Sequence, residues 1–274
     1  MTERISRRNP SPRRRRRRAH ALPGVSIPDL GTTCRSLRDE RGLTRDQAAR
    51  ELGYSAVHIG RVESGKQDPT SNFMEALISG YRLDQAMAAH LRDLDMPAIL
   101  LPPPTHFRDY VRDDPTLALN LARFQTQGVL AAYVDPFWNV LVRNDLFANV
   151  LTGLDDTESI AMWLFSDHGT ATLLDPERER AWAVKILKGA VARHRTSVQA
   201  HDLVAGLSRN RDAQRLWSTS VSVSRGRDSR ALLRARDAHR NPTSYQLTLT
   251  ESILAHPIQL VVATPLPSAE PDLD

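Results

Sequence analysis

The sequence predicts two domains of different class: an all-α domain of five helices across residues 25–96, then an α+β domain on an antiparallel sheet across residues 106–265. Three observations carry this. Up to about residue 95, short apolar patterns at helical spacing are punctuated by capping residues and glycines, with no strand-like run. The stretch MPAILLPPPTH, Met96 to His106, then breaks the helical pattern with four prolines, so residues 97–105 form a stiff, extended boundary. Beyond it, strand-like runs lie at the two ends of a region whose middle is helical, the order of one antiparallel sheet packed by helices.

The first helix is expected in TTCRSLRDERG, where Cys34 is a packing residue. LTRDQAARELGYSAVHIGRVESGK, Leu43 to Lys66, then describes two short helices and a tight turn. Thr44 is placed to cap RDQAARE; Ala48 and Leu52 share one face, and Ala49 is small enough for a close helix crossing. Gly53 suits the left-handed conformation that ends a helix, and Ser55 caps the next one, from Ala56 to Glu63. Ile59 and Val62 form its buried stripe. Val57, Gly60 and Arg61 occupy another face. Helices from Asn72 to Tyr81 and from Asp84 to Leu94 complete the domain.

Such a helix pair is a DNA-reading device, its second helix entering the major groove. Arg61 is the first candidate for a base contact, because a guanidinium donates twice to guanine; Ala56 and Val57 suit thymine methyls. The plainer alternatives are partial burial for Val57 and a phosphate contact or solvated charge for Arg61. Gly60 costs about 1 kcal/mol of helix propensity, which marks either close backbone approach to DNA or a weak recognition helix.

These residues resemble the lambda, Cro and Xre type of helix-turn-helix repressor over about residues 30–95: an Ala-containing helix, Gly, Ser, Ile, Arg, then Val-Glu-Ser-Gly-Lys and Pro69. The resemblance implies a lambda-repressor-like fold, phosphate contacts at Arg45, Ser55, Ser64 and Lys66, and a structural ion pair between Arg38 and Glu63. The recognition-helix tip, Ala56-Val57-His58, carries fewer polar readers than many relatives have.

Charge is unevenly spread. The chain has 37 basic and 32 acidic residues, but residues 1–24 hold nine arginines and one glutamate, a local +8, leaving −3 for the rest. Residues 25–100 have nine basic and eleven acidic residues, so phosphate attraction requires either basic groups segregated on one face or help from the tail. Residues 1–24, with six consecutive arginines, are expected to be a disordered tail, either a minor-groove arm or a solvated appendage; residues 266–274 are expected to be a second one. No apolar run of about 20 residues, as a membrane span requires, is present, and Arg7-Arg8 lacks the apolar stretch of an export signal; the expected location is cytoplasmic. The histidines and the lone cysteine have no metal-ligand spacing, and no nucleophile, phosphate-loop or dinucleotide motif occurs, so neither a metal, a cofactor nor an enzyme activity is expected.

In the second domain, a helix is expected from Pro115 to Thr126 and a β-hairpin in VLAAYVDPFWNVLVRN, turning at Asp135-Pro136. Helices follow at Asp145–Leu151, Glu158–Phe165, Glu177–His194 and Ala200–Trp217. SYQLTLTESIL and HPIQLVVAT close the sheet. This order resembles the C-terminal domain of MmyB-like transcription regulators of actinobacteria, carried by Tyr133 to Asn144, Trp163-Leu164-Phe165 before Asp167, Leu216-Trp217 before Val221, and Asn241-Pro242 through Leu247-Thr248-Leu249 to Leu260-Val261-Val262. SRGRDSRALLRARDAHRNP departs from it as a longer, insertion-like loop. The resemblance implies a PAS-like pocket for a fatty-acyl-like or other small apolar ligand. Trp138, Phe147, Trp163, Phe165, Trp182 and Trp217 are the candidate lining residues, with core packing as their plainer role, and His168, Asp175 and His239 are candidates for a polar head group.

The resulting expectation is a DNA-binding regulator, homodimeric on an inverted repeat, with double-stranded DNA and a small effector as partners and no membrane. Three other readings stay open: a ligand-free C-terminal module for dimerisation or partner binding, an enzyme fused to a DNA reader, and a helix-turn-helix used for protein contacts.

Overall fold

The structure is a computed structural model and describes residues 24–228, 230–251 and 257–266; the two expected tails, 1–24 and 266–274, lie almost wholly outside these. Five helices form the first domain: α1 (Leu30–Glu40), α2 (Arg45–Leu52), α3 (Ala56–Glu63), α4 (Ser71–Gly80) and α5 (Gln85–Asp95). Asp29, Thr44, Ser55, Thr70 and Asp84 each cap the following helix by accepting a backbone N–H, which satisfies donors that a helix start leaves unpaired. At Thr44 the cap is a full box, with Gln47 answering through its side chain. Leu37, Ala48, Leu52, Ile59, Val62, Phe73, Leu77 and Leu91 form the buried core. Gly31 sets the packing of α1 on α3, because a Cβ there would stand 2.8 Å from the Val62 carbonyl oxygen.

The second domain begins with α6 (Pro104–Asp113), a helix absent from the sequence expectation, and α7 (Pro115–Thr126). The hairpin follows as β1 (Leu130–Val134) and β2 (Val140–Arg143), then α8 (Asp145–Val150), a 3-10 turn at Leu154–Asp156, α9 (Ile160–Trp163), α10 (Asp167–Thr172), α11 (Pro176–Arg193), α12 (Val198–Leu207) and α13 (Arg211–Trp217). The helix expected over Ala200–Trp217 is therefore two helices. Asn210 divides them, its side chain accepting from the N–H groups of Asp212 and Ala213 to start a new helix. The insertion-like loop is corrected as well: it contains the edge strand β3 (Leu233–Arg236). With β4 (Pro242–Glu251) and β5 (Gln259–Pro265) it completes an antiparallel sheet of order β2-β1-β5-β4-β3. The first hairpin thus pairs with the last strand, Ala132 facing Val261. All five residues of β1 are buried, so this strand is covered on both faces.

The two domains pack directly. The proline segment is extended but held: the backbone N–H of Ile99 donates to the Arg193 carbonyl, His194 Nδ1 lies 2.9 Å from the Ile99 carbonyl oxygen, and Gln199 donates to the Pro102 carbonyl. α5 lies against α11, and Val223, from the segment between α13 and β3, is buried in the core of the first domain.

Candidate nucleic-acid interface and ligand cavity

One open depression on the first domain gathers Arg45, Ala56, Val57, Arg61, Ser64 and Lys66, together with Gly60 and Asp46. The α2–α3 turn creates it. Gly53 sits at φ 74°, a left-handed residue that lets the chain reverse within a few residues. Val57 is 64% exposed, so its alternative role as a buried contact to the first motif helix is corrected. Arg61 and Lys66 are also exposed and form no salt bridge among the described residues. Three basic side chains to one acidic one border this depression, so basic charge is concentrated on this face of an otherwise slightly acidic domain. Ser55 Oγ accepts the His58 N–H at 3.1 Å, which leaves its own hydroxyl proton free to donate. Ser64 Oγ bonds the Arg61 carbonyl.

The recognition helix is fixed from beneath by Glu63. Arg38 donates to both carboxylate oxygens, Nε to Oε1 at 2.5 Å and NH2 to Oε2 at 3.1 Å. Arg45 Nε donates to Oε2 at 2.9 Å, so Arg45 belongs to a buried cluster while its half-exposed guanidinium edges the depression. A Cβ at Gly60 would be 3.5 Å from that guanidinium, an ordinary contact, so this neighbour does not demand a glycine.

The second site lies between the sheet and its helices: a cavity of about 70 Å³ with a wholly apolar surface. Trp138, Phe147, Trp163 and Trp182 line it, with Leu233, Tyr245 and Leu247 from the strands. Phe165 and Trp217 stand elsewhere, a correction to the candidate set: Phe165 packs under Arg180, and Trp217 under Lys188 between the domains. His168, Asp175 and His239 also lie off the cavity. His168 is exposed near Asp156, Asp175 precedes α11 beside Arg234, and His239 sits in the exposed β3–β4 turn.

Local hydrogen bonds aim the cavity residues. Asp135, whose carboxyl burial pushes above the usual carboxylate range, accepts from the Phe137 and Asn139 N–H groups and from the Asn139 amide. This knot holds Trp138 at φ 65°, a backbone conformation uncommon for an aromatic residue. Buried Asn144 caps α8 and ties it to β1, fixing Phe147. Trp163 Nε1 donates to the Thr152 carbonyl and Trp182 Nε1 to that of Gly226. Trp138 Nε1 and Thr172 Oγ1, both buried, have no partner among the described residues, a cost of about 1–3 kcal/mol for each such group.

Sequence reasoning missed Glu179, 2% exposed on the cavity wall. Its carboxylate accepts from Arg227 NH1 at 2.5 Å and NH2 at 2.8 Å, and from Arg178 NH2 at 3.1 Å. Arg227 also covers the Trp182 ring, which stacks on Trp138 at 5.3 Å. Arg227 ends a strap, residues 218–227, that is bonded to α11 through Gly226, Ser224 and Ser220 and also reaches the first domain. There the Val221 N–H donates to Glu40, Val223 is buried, and Arg225 pairs with Asp93 at 2.6 Å. Only the surplus of basic residues around Arg225-Gly226-Arg227 hinted at this role.

Beside the strap, burial lowers His90 to about 4 and Lys188 to about 8. Lys188 Nζ donates to the Trp217 and Ser220 carbonyls, the latter at 2.5 Å.

A DNA-reading helix pair joined to a sheet domain with an internal cavity defines a two-domain transcription regulator. Residues 29–91 match the helix-turn-helix domain family, and residues 115–272, more than half of the chain, match the MmyB-like transcription regulator ligand binding domain. The chain belongs to the MmyB-like transcription regulators. No curated protein matches it. These are regulator families and not enzyme families. No helix among the described residues is long and apolar enough to cross a membrane.

Proposed function

We propose that the protein binds an inverted-repeat operator as a homodimer, reads it with α3, and adjusts that binding to a small apolar ligand in the sheet domain. The strap carries this reading. Its Arg227 end is bonded to a cavity-wall carboxylate and its Val221-to-Arg225 stretch is built into the DNA-binding domain. A ligand changes DNA affinity only if it binds two arrangements unequally, and a strap bonded to both domains couples the arrangement of one to that of the other. In the dimer, the two α3 helices would stand about 34 Å apart, one turn of the duplex. Arg61, Ala56 and Val57 take the base contacts, and Arg45, Ser55, Ser64 and Lys66 the phosphates. The Arg-rich segment 1–24 adds phosphate attraction.

The small size of the cavity favours a second reading, a filled core serving dimerisation or partner binding.

Selection of bound fragments from random DNA, followed by affinity measurements at several salt concentrations, tests the DNA reading. Arg61→Ala should cost about 1–3 kcal/mol and relax the preference at one position. Lys66→Ala should weaken all sequences alike and reduce the salt slope by about 1; removing residues 1–24 should flatten it further. Unchanged binding in both point variants excludes docking through this face.

A further inference from the structure

We infer that the cleft between the two domains is a second ligand site, one that takes a small organic carboxylate, its negative group shared by Arg193 and Arg225 and its apolar body lying along Ile99 and Ile186. This cleft shares no wall residue with the apolar cavity of the sheet domain.

The cleft measures about 610 Å³, within the range of about 300–1,000 Å³ usual for small-molecule sites, which favour domain boundaries. Both domains build it. Asp93 comes from α5, Ile186 and Arg193 from α11, Ile99 from the proline segment and Arg225 from the strap. A ligand held there touches both domains.

The two arginines converge on one point. Arg193 Nε lies 3.6 Å from Asp93 Oδ1, and Arg225 Nη2 lies 2.6 Å from Asp93 Oδ2, so both guanidiniums stand around a single carboxylate group. Each has five N–H donors in a planar fork, and among the described residues Asp93 is the one side chain that engages either guanidinium. Both side chains are partly exposed. Donors are therefore left over for a second carboxylate.

Charge selects the ligand. Among the described residues Asp93 is the one acid bordering the cleft, against two arginines, and burial lowers both His90 and His194, which also border it, toward their neutral forms. One positive charge is left uncancelled. A carboxylate cancels it and matches the guanidinium fork, whereas a phosphate monoester, at about −1.5 to −2, would leave the site negative beside Asp93. The apolar wall suits the rest of such a molecule. Ile99 is 54% exposed, a large side chain that packing within the chain leaves uncovered, and half-buried Ile186 and Ala190 border the same cleft.

The test uses the full chain near neutral pH, where carboxylic acids are ionised, and isothermal titration calorimetry with 4-phenylbutyrate and indole-3-propionate, each beside its primary amide. Each acid should bind about tenfold or more tightly than its amide. Arg193→Gln and Arg225→Gln should each weaken acid binding about tenfold. Asp93→Asn, which keeps both arginines and removes the competing carboxylate, should tighten it. That gain separates a ligand site from a merely structural ion pair, whose loss tightens nothing. If Arg225→Gln fails to fold, Arg193→Gln, whose contact with Asp93 is the longer one, decides together with Asp93→Asn. Acids that do not bind, amides that bind equally well, affinities unmoved by the arginine substitutions, or a loss in Asp93→Asn each overturn the inference. So does loss of acid binding in Trp138→Phe, which places the acid in the apolar cavity. None of these outcomes touches the function proposed above.

Discussion

Two buried glutamates, one in each domain, are held in nearly the same way and do different work. Glu63 lies between Arg38 and Arg45, with its shortest bond 2.5 Å long; Glu179 lies between Arg227 and Arg178, again with a shortest bond of 2.5 Å. Glu63 and its arginines stand on helices of one small bundle, α1, α2 and α3, so the cluster fixes the recognition helix against its own domain. Glu179 stands on α11, but Arg227 belongs to a strap that continues into the DNA-binding domain. A buried carboxylate with two guanidinium partners thus makes a rivet where both partners are helical, and a clasp between domains where one partner lies on an irregular segment.

The largest effect should come from the rivet. Glu63→Ala leaves buried Arg38 with Asp39 and the Leu43 carbonyl and strips Arg45 of its carboxylate, a loss of about 3–5 kcal/mol measurable by denaturant unfolding, and DNA binding should fall with it. A loss below that of an exposed salt bridge, about 1 kcal/mol, removes the distinction drawn here.

Next comes the contact between the regions. His90, on α5 against α11, is buried and lowered to about 4, with Asp93, Lys188 and Arg225 as its charged neighbours. Its neutral form is the folded one. Its contribution is fully present above the unfolded value of 6.5 and is lost as pH falls toward about 4, about 3 kcal/mol in all. Melting temperature followed from neutral pH downward should show this loss, and His90→Leu should lack it. A variant with the same acid profile as the parent assigns the loss to other groups.

The clasp should have the smallest effect on stability. Arg227→Ala leaves Glu179 with half-exposed Arg178, so unfolding should change by about 2 kcal/mol. DNA affinity without ligand should persist, while its response to a small apolar ligand should vanish. A response of parental size would show that the strap does not transmit occupancy.

How much of each cluster was legible follows from chain distance and motif. Arg38 and Glu63 occupy positions in a dense local pattern of caps, small residues and apolar spacings, so the resemblance paired them. The depression was legible for the same reason: Arg45, Val57, Arg61 and Lys66 share a short motif whose helices can pack in few ways. Arg227 and Glu179 are 48 residues apart, and SRGRDSRALLRARDAHRNP has the charge and small-residue content of a solvated loop. Neither its strand β3 nor its clasp was legible, because a short edge strand is selected by pairing with β4, Ala235 facing Thr243, and not by intrinsic preference. Phe165 and Trp217 were misplaced for a related reason. Aromatic character signals burial but not which side of a helix faces a cavity.

By itself the sequence determined the two domain classes, the helix boundaries around Gly53, the first hairpin and the exposed face of α3, since caps, turns and periodicity act within a few residues. The tertiary structure alone decided that β1 pairs with β5, that the proline segment is held against α11, that Trp138 and Thr172 are left unpaired behind an apolar cavity, and that residues 218–227 tie this cavity to the DNA reader. These depend on contacts between distant segments, whose geometry is fixed only when the cores close and buried polar groups must find partners or go without.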